Sequence, residues 1–570
     1  MATANSAISF QGLSSGIQTD ALVNAILAQE GKTVDAYKAR QTRNNAKSAA
    51  LTSMKSSMTT LSISLAALQD RLNSRTVTSS DINNTNVTAS ASGAAAGSYD
   101  LTVSTVATKG RISPTLLGGV PQNLAVANPA SAIFSSPRAS FAVQGTDGVL
   151  KTFELTSNSL NGLRDAINAS GAGVTASIVN TGAGTKPYQL VITAKDTGTG
   201  TTGGIVTLAA INNADGSATT VDPALGITTG TLSGTFAAPT GLSGGLQSGA
   251  AEVAKDAAFT LNGIQLTRKT NTVTDAVDGV TFTLKQGGQT GTTTLTVGQD
   301  KATATTGMQD VVTKYNALLK IYRDASTATQ DPNGTILPGA LTGDATSRSI
   351  MDQIRATLTG ASSGLPGTAT FQTPASLGLK TNSDGTLSLN TTTFQAALDK
   401  DPSAAMRLFT FSGNSDNGVL AFQSGTDKTA TGAIGFAITK DLAGTYTGTF
   451  TGTANGPITL TSSTGTLVGG PGDLEGLTVN VTAAGSGTLT LSRGAGQAVR
   501  DLISSFTTSG SGSLSTALTN IQSQNRTLAD QINAGQAALD RRKKVLQAQF
   551  SKMEVLIAQM KSASGSLSSA

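Results

Sequence analysis

Two stretches near the ends of this chain repeat apolar residues at alternating steps of three and four. The N-terminal series consists of Leu51, Met54, Met58, Leu61, Leu65, Leu68 and Leu72. The C-terminal series contains Leu528, Ile532, Leu539, Leu546, Met553, Leu556 and Met560, and it extends back to Leu514, Leu518 and Ile521. This spacing keeps each series on one face of a helix, as in a coiled coil. Because such a stripe is unstable in water, we expect the two stripes to pack against each other or against neighbouring copies of the chain.

The chain between these two series is typical of short β-strands. Tyr99, Leu101 and Val103 alternate with polar neighbours, which indicates a strand with one buried face. Asp384 and Gly385 separate two further runs and predict a tight hairpin. The sequence therefore predicts an α+β multidomain fold. In this fold, long coiled-coil-like terminal helices pack together, and several antiparallel β-rich domains are inserted between them.

The pattern divides the chain into five segments. They are N-terminal helices at 1–76, β-rich head domains at 77–298 with an inner unit at about 138–240 inserted in an outer unit, a helical middle with a β-hairpin at 299–410, a Gly/Thr-rich β domain at 411–497, and a C-terminal helix at 498–570. The C-terminal seam is interrupted at Asn525, Gly535, Arg542 and Gln549. These interruptions favour a helix that becomes fully ordered only when it docks.

The composition argues against catalysis. The 570 residues include no His and no Cys, so imidazole and thiolate metal ligands and Ser-His or Cys-His nucleophile pairs are absent. Residues 198–203 have the spacing of a dinucleotide-binding loop, but the β-branched residues after Gly204 predict a strand where a phosphate site needs a helix. The segment from Asp331 to Gly334 predicts a turn, because the later ligands of a calcium loop are missing. We therefore predict no enzymatic activity and no cofactor or metal.

Charge is concentrated at the two ends. The chain has 39 Lys and Arg against 34 Asp and Glu, a net charge of +5, and each terminal segment carries a surplus of about four. The middle is then slightly acidic, which argues against nucleic-acid binding. No apolar run reaches the roughly 20 residues of a membrane helix. The start of the chain lacks the basic and apolar regions of a secretory signal, so we expect no cleaved signal peptide.

Several strings, in order along the chain, resemble the flagellar filament-capping family, also called hook-associated protein 2. Residues 10–17, followed by Thr19 to Val23, resemble its N-terminal signature, although Ser14 stands where many members have Gly. Residues 160–192 are similar to a short repeat shared by caps and some flagellins. Strings between Lys255 and Pro402 and the segment 550–554 resemble the C-terminal region. The segments 113–137 and 411–491 have no counterpart in this resemblance.

The resemblance implies a structural cap at the distal end of a bacterial flagellar filament. Such a protein promotes flagellin folding and insertion and prevents the loss of monomers. It would leave the cell through the flagellar type III apparatus and act outside it at the flagellum tip. The implied partners are other copies in a ring, with a pentamer as the first choice and tetramers to hexamers open, together with flagellin, hook-filament junction proteins and an export chaperone at the C-terminal helix. Fourteen residues of the two series, Leu51 to Leu72 and Leu528 to Met560 as given above, would serve self-association and docking on the filament.

Other interpretations stay open at this stage. The helical seams are also compatible with an ordinary intramolecular core. The basic run from Arg541 to Lys544 suits either an acidic partner or a solvated helix face. The alternative function is a surface adhesin whose β domains bind glycans or mucin. Another axial flagellar protein is less compatible, because its N-terminal signature differs.

Overall fold

The computed structural model describes residues 18–117, 120–134, 139–288 and 291–567. This part of the chain divides into two compact units. The first unit contains both ends of the described chain, up to Asn73 and from Lys301 onward, and the second is Ser74–Asp300. The N-terminal signature at residues 10–17 lies outside the described residues.

Long helices form most of the first unit, and one short helix belongs to the second. The helices are α1 (Thr19–Glu30), α2 (Lys32–Asn73), α3 (Leu160–Ala169), α4 (Lys301–Ser326), α5 (Ala345–Thr359), α6 (Thr391–Lys400), α7 (Pro402–Arg407), α8 (Ala495–Thr507) and α9 (Ser513–Leu567). Single 3-10 turns cover Pro223–Leu225 and Pro374–Leu377.

The second unit consists mainly of antiparallel strands around two large apolar cores and a small one at Ala142, Ala209 and Ile211. Its strands are β1 (Arg75–Ser79), β2 (Val87–Ala91), β3 (Gly97–Thr105), β4 (Arg111–Ile112), β5 (Leu116–Leu117), β6 (Val120–Pro121), β7 (Ala125–Val126), β8 (Ser140–Gln144), β9 (Leu150–Glu154), β10 (Val174–Asn180), β11 (Tyr188–Ala194), β12 (Thr207–Ile211), β13 (Gly230–Gly234), β14 (Pro239–Gly244), β15 (Leu246–Gln247), β16 (Ala257–Leu261), β17 (Ile264–Arg268), β18 (Thr272–Val277), β19 (Val280–Leu284) and β20 (Thr293–Gln299).

One large core of this unit lies between a five-stranded sheet, in the order β1-β20-β3-β16-β17, and a three-stranded sheet, β18-β19-β2. The other large core includes helix α3 and the sheets β10-β11-β4 and β15-β12-β8-β9, with Phe141 at its centre. The alternation predicted around Leu101 is confirmed, because Leu101 and Val103 are buried on one face of β3.

The strands of the first unit form two short hairpins and a β-sandwich. They are β21 (Thr329–Gln330), β22 (Ile336–Leu337), β23 (Leu379–Thr381), β24 (Leu387–Leu389), β25 (Phe411–Ser415), β26 (Leu420–Ser424), β27 (Gly432–Lys440), β28 (Tyr446–Thr451), β29 (Ile458–Ser462), β30 (Thr466–Val468), β31 (Thr478–Val481) and β32 (Gly485–Arg493). The sheets β25-β32-β27-β28-β29 and β26-β31-β30 enclose a separate core that includes Phe450 and Leu477. The predicted hairpin at Asp384 is the pair β23–β24.

The core of the first unit forms where α2 packs against α4. The apolar face of α4, with Met308, Val311 and Tyr315, is buried in the same cluster as the N-terminal seam. Ser64 donates a hydrogen bond to Asp310 Oδ2 over 2.6 Å. The two helices approach closely at Gly307, where a Cβ would lie 2.7 Å from the Arg71 side chain.

Local motifs follow the sequence in most places. After the glycine-rich loop at 198–203 comes strand β12 rather than a helix, so this segment has no phosphate-binding geometry. Asp331 Oδ1 accepts hydrogen bonds from the amides of Asn333 and Thr335, as expected of a turn. Helix α1 begins at Thr19, and its N-cap residue, Gln18, makes no side-chain capping bond.

The predicted fold class is confirmed. Long terminal helices pack together in the first unit, and antiparallel β domains lie between them in the sequence. Helix α9 is continuous over 55 residues, so the four interruptions of its seam do not break it.

Candidate assembly surface

Helices α1 and α2 pair with α9 in an antiparallel arrangement. We call residues 18–50 and 524–567 of these helices the leg. We call the remaining helical part of the first unit, including the rest of α2 and α9, the body. Asn44 Nδ2 donates to Gln524 Oε1 at 3.3 Å, and Arg542 Nε lies 3.3 Å from Glu30 Oε1. Residue numbers increase along α9 while those of the residues opposite, on α2 and α1, decrease. The leg is therefore an antiparallel helix pair.

The two helices of the leg approach closely at Gly535. A Cβ at this position would lie 2.5 Å from Val34 Cγ2, so only glycine fits without displacing the neighbour. Gly31 connects α1 to α2 in a right-handed conformation, and its N–H donates to the Leu27 carbonyl. The backbone therefore stays close to helical through Gly31.

The structure buries the whole N-terminal seam within a single chain. The exposed fractions of Leu51, Met54, Met58, Leu61, Leu65, Leu68 and Leu72 lie between 0 and 2%. These side chains pack in the body core with α4 and α8. Sequence periodicity identified the buried face, which meets the apolar face of α4 as well as Leu514 and Ile521 of the C-terminal series on α9. The assignment of these seven residues to self-association and docking stays a prediction, and within the single chain its own core covers them.

The C-terminal seam changes character along α9. Leu528, Ile532 and Leu546 are buried in the leg. Leu539 and Met553 are half-buried. Leu556 and Met560 are 59% and 66% exposed. The same series of residues thus passes from intramolecular packing to an unpaired surface towards the end of the helix.

Three large apolar side chains are exposed together near the end of α9. We call Val555, Leu556 and Met560 the tip patch; Val555 is also more than half exposed. Leu556 and Met560 are four residues apart, so they lie on neighbouring turns of one helix face. Exposed apolar groups of this kind are typical of surfaces that bind another protein.

The leg is basic. Twelve basic side chains, Lys32, Lys38, Arg40, Arg43, Lys47, Arg526, Arg541, Arg542, Lys543, Lys544, Lys552 and Lys561, stand against six acidic ones, Asp20, Glu30, Asp35, Asp530, Asp540 and Glu554. This surplus of six exceeds the net charge of +5 of the whole chain. Of the predicted basic run, Arg542 pairs with Glu30, and residues 541–544 are all exposed.

The root of the leg is tied to the body by one ion pair. Lys47 Nζ lies 2.6 Å from Asp344 Oδ2, and the Asp344 side chain is mostly buried. Asp344 also caps α5 by accepting a hydrogen bond from the Ser347 amide. Burial acts to raise the pKa of Asp344, but the hydrogen bonds from Lys47 and Ser347 outweigh it and hold the pKa below its ordinary value.

Sequence reasoning missed several residues of this surface. Val34, Asn44 and Asn45 form contacts within the leg, and none of them is among the residues predicted for docking. A usable signal was present, because Asn525 and Gly535 occupy seam positions where an apolar residue is expected.

The described residues contain neither a metal site nor a membrane-spanning helix. No group of three His, Cys, Asp or Glu among them could hold a metal ion. Within the same ranges, none of the helices combines the length and the apolar character needed to cross a bilayer.

Comparison with known proteins gives a consistent family. Residues 254–562 match the model of the flagellar hook-associated protein 2 C-terminus, residues 15–110 match that of the N-terminus, and residues 152–196 match the flagellin hook IN motif. The chain is 30% identical to the flagellar hook-associated protein 2 of Escherichia coli K12 over 404 residues, 70% of this chain and 79% of that protein. It is 29% identical to the B-type flagellar hook-associated protein 2 of Pseudomonas aeruginosa over 373 residues, 63% of this chain and 72% of that protein.

Solved structures of similar sequence were also found. The crystal structure of the flagellar cap protein FliD domains D1-D2-D3 from Escherichia coli is 29% identical, with a TM-score of 0.45, and the match covers 63% of this chain and 89% of that one. FliD (HAP2) from Pseudomonas aeruginosa PAO1 is 26% identical, with a TM-score of 0.31, over 43% of this chain and 99% of that one.

Proposed function

Since the chain belongs to the flagellar hook-associated protein 2 family, we propose that it is the structural cap at the distal end of a bacterial flagellar filament. In this role it promotes the folding and insertion of flagellin and prevents the loss of monomers. The observation that carries the proposal is the family match over residues 254–562, more than half of the chain. The family is a structural one, so the proposal includes no enzymatic activity.

The leg is the part that docks on the filament end or on neighbouring copies. Its tip patch is exposed in the single chain, whereas the N-terminal seam is already buried. Covering a Leu or Met side chain contributes about 1.5–3 kcal/mol, so Leu556 and Met560 supply a useful part of the docking energy. Half-buried Met553 lies next to them along α9 and gains further burial on docking.

The finer partners follow from the same family. The cap assembles as a homo-oligomeric ring, with a pentamer as the first choice and tetramers to hexamers as alternatives. It works at the extracellular tip of the flagellum, with flagellin and the hook-filament junction proteins as partners, and it is exported by the flagellar type III apparatus. The exposed basic residues Arg541 to Lys544 on α9 offer a binding surface for an export chaperone.

The test is complementation of a deletion strain. The wild-type chain should restore full-length filaments and suppress the release of flagellin monomers into the medium. The double variant Leu556→Ser/Met560→Ser should leave filaments short and release flagellin, because docking loses its apolar contacts while the body core is untouched. Swimming motility and flagellin in the culture supernatant are the measurements.

The matched control is Ile63→Ser, which changes an apolar residue with 63% exposure on α2 in the body. It should restore filaments like the wild type. Full-length filaments without flagellin release in the uncomplemented deletion strain would contradict the cap function. Normal filaments with the double variant would contradict the role of the tip patch in docking but not the cap function.

The adhesin alternative receives no support from the comparisons. The relatives named above are flagellar hook-associated proteins, and the Escherichia coli structure named above is described as that of a flagellar cap protein. We therefore do not propose glycan or mucin binding by the β domains.

A further inference from the structure

A layer of amide side chains lies where the leg leaves the body. Asn525 Nδ2 on α9 donates to Asn45 Oδ1 on α2 over 2.7 Å. Beside this pair, Asn44 Nδ2 donates to Gln524 Oε1. The carbonyl oxygen of Asn525 is buried and has no hydrogen-bond partner. We call these four residues the amide layer.

The amide layer separates two apolar stretches of the same helix pair. On the body side, Leu51 and Ile521 belong to the continuous core shared with α4 and α8. On the leg side, Leu528 and Ile532 are buried, but they lie outside that core cluster. Asn525 occupies a seam position, so the two apolar stretches are not in continuous contact along α9.

An amide at a seam position weakens helix pairing. Amide pairs exchange readily for hydrogen bonds to water, whereas separating apolar side chains exposes surface that water does not stabilise. A buried amide oxygen without a partner gains a hydrogen bond when the helices separate. Opening at this layer is therefore easier than opening at Leu51 or Leu528.

The body side of the layer is held more firmly. Lys47 pairs with Asp344, which is fixed at the N-terminus of α5 by its bond to the Ser347 amide. This ion pair lies on the body side of Asn44 and Asn45 in the sequence. Separation of the helices that begins in the leg therefore reaches the weak amide layer first. It then reaches the part of α2 that the Lys47–Asp344 ion pair holds.

From this arrangement we propose that the amide layer uncouples the leg from the body. The leg opens and closes as its own cooperative unit, and the body core stays folded while it does so. This inference goes beyond the proposed cap function and does not depend on it. For a cap, it supplies a leg that adjusts at a docking site without loosening the body.

Hydrogen–deuterium exchange of the purified full-length chain tests the proposal. In the wild type, amides in 526–550 should exchange at least about tenfold faster than those in 514–521 and 54–72. The variant Asn44→Leu/Asn525→Leu replaces the two half-buried amides of the layer and joins the two apolar stretches, so exchange in 526–550 should slow about tenfold, with no change in 54–72. Asn525→Leu alone should give part of this effect and serves if the double variant does not fold.

The matched control is Gln522→Leu/Gln531→Leu, which adds the same side chains to α9 at two exposed positions off the seam. It should leave exchange in the leg unchanged. Equal exchange on both sides of the layer in the wild type would overturn the proposal. So would unchanged leg exchange in both Asn variants, or equal slowing by the control. None of these measurements uses filaments, so their outcome is separate from that of the complementation test.

Discussion

The same two helices are built differently in the body and in the leg. In the body, α2 presents seven apolar side chains that are almost fully buried against α4 and α8. In the leg, α2 and α1 pack mainly against α9, through scattered apolar residues, a glycine contact, amide pairs and the exposed Glu30–Arg542 ion pair, and Lys47 ties the leg to the body. A continuous heptad-like pattern therefore does not imply uniform packing, because the number of neighbouring helices determines how deeply each position is buried.

The largest difference should appear when a body seam residue is shortened. Leu61→Ala removes a fully buried side chain from the core, and we expect the free energy of unfolding of the helical unit to fall by about 2–5 kcal/mol. Denaturant unfolding followed by circular dichroism measures it. Ile63→Ala, two residues away but exposed, should change the value by less than about 0.5 kcal/mol. Similar losses for the two variants would contradict the assignment of the seam to the body core.

The leg should be most sensitive where its two helices approach closely. Gly535→Val places a side chain against Val34, and we expect a local cost of about 1–3 kcal/mol in leg pairing. Limited proteolysis should show faster cleavage in the leg, while the thermal midpoint of the body stays the same. Ala538→Val, at an exposed position on the same helix, should cleave like the wild type. Loss of the body transition in Gly535→Val would mean that leg and body are one cooperative unit.

The tie between the two regions should have a moderate and pH-dependent effect. Lys47→Met keeps the α5 cap but removes the cation, and we expect a loss of about 1 kcal/mol at pH 7. The pKa of Asp344 is lowered in the folded chain. Its stabilising contribution is therefore complete above the ordinary carboxyl pKa of 3.8 and is lost as the pH falls through the lower folded value.

Denaturant unfolding of the wild type and Lys47→Met across pH 7 to pH 2 checks this prediction. The two curves should converge at the acid end. Lys320→Met, whose partner Asp324 is one turn away and well exposed, should show a smaller difference at every pH. A Lys47→Met effect that persists unchanged at pH 2 would contradict an ionic origin.

The smallest effect should come from the leg surface. Glu30 and Arg542 are both substantially exposed, and we expect their coupling to be below about 0.5 kcal/mol. A double-mutant cycle with Glu30→Gln and Arg542→Gln measures it, and 1 M salt should abolish it. A salt-independent coupling above that size would show that the leg is packed more like the body.

The sequence was sufficient for the fold class and for the face of each long helix. Steps of three and four placed Leu51 to Leu72 on one buried side of α2, and the Asp384-Gly385 pair marked a hairpin that the structure contains. These features depend on local periodicity and turn chemistry, which a single sequence carries.

The identity of packing partners could not be predicted in the same way. The N-terminal seam was expected to meet the C-terminal seam or another copy. Leu514 and Ile521 of the C-terminal series do share its core, but the structure also packs α4 against it, and the sequence did not predict this partner. Periodicity identifies which face of a helix is buried, but it does not identify the element whose apolar face packs against it. The depth of burial at Leu556 and Met560 likewise depends on where a neighbouring helix ends, and it could not be predicted from the seam alone.

The first and last strands of the sandwich, β25 and β32, are hydrogen-bonded neighbours, with Phe411 opposite Arg493. The Gly494 amide also donates to the Thr410 carbonyl over 2.8 Å, so the chain enters and leaves the sandwich at almost the same point. A gene can therefore lengthen, shorten or replace this cassette without altering the distance that the flanking helices must bridge. The sandwich is therefore a site where evolution can exchange sequence and where a foreign epitope can be inserted for surface display.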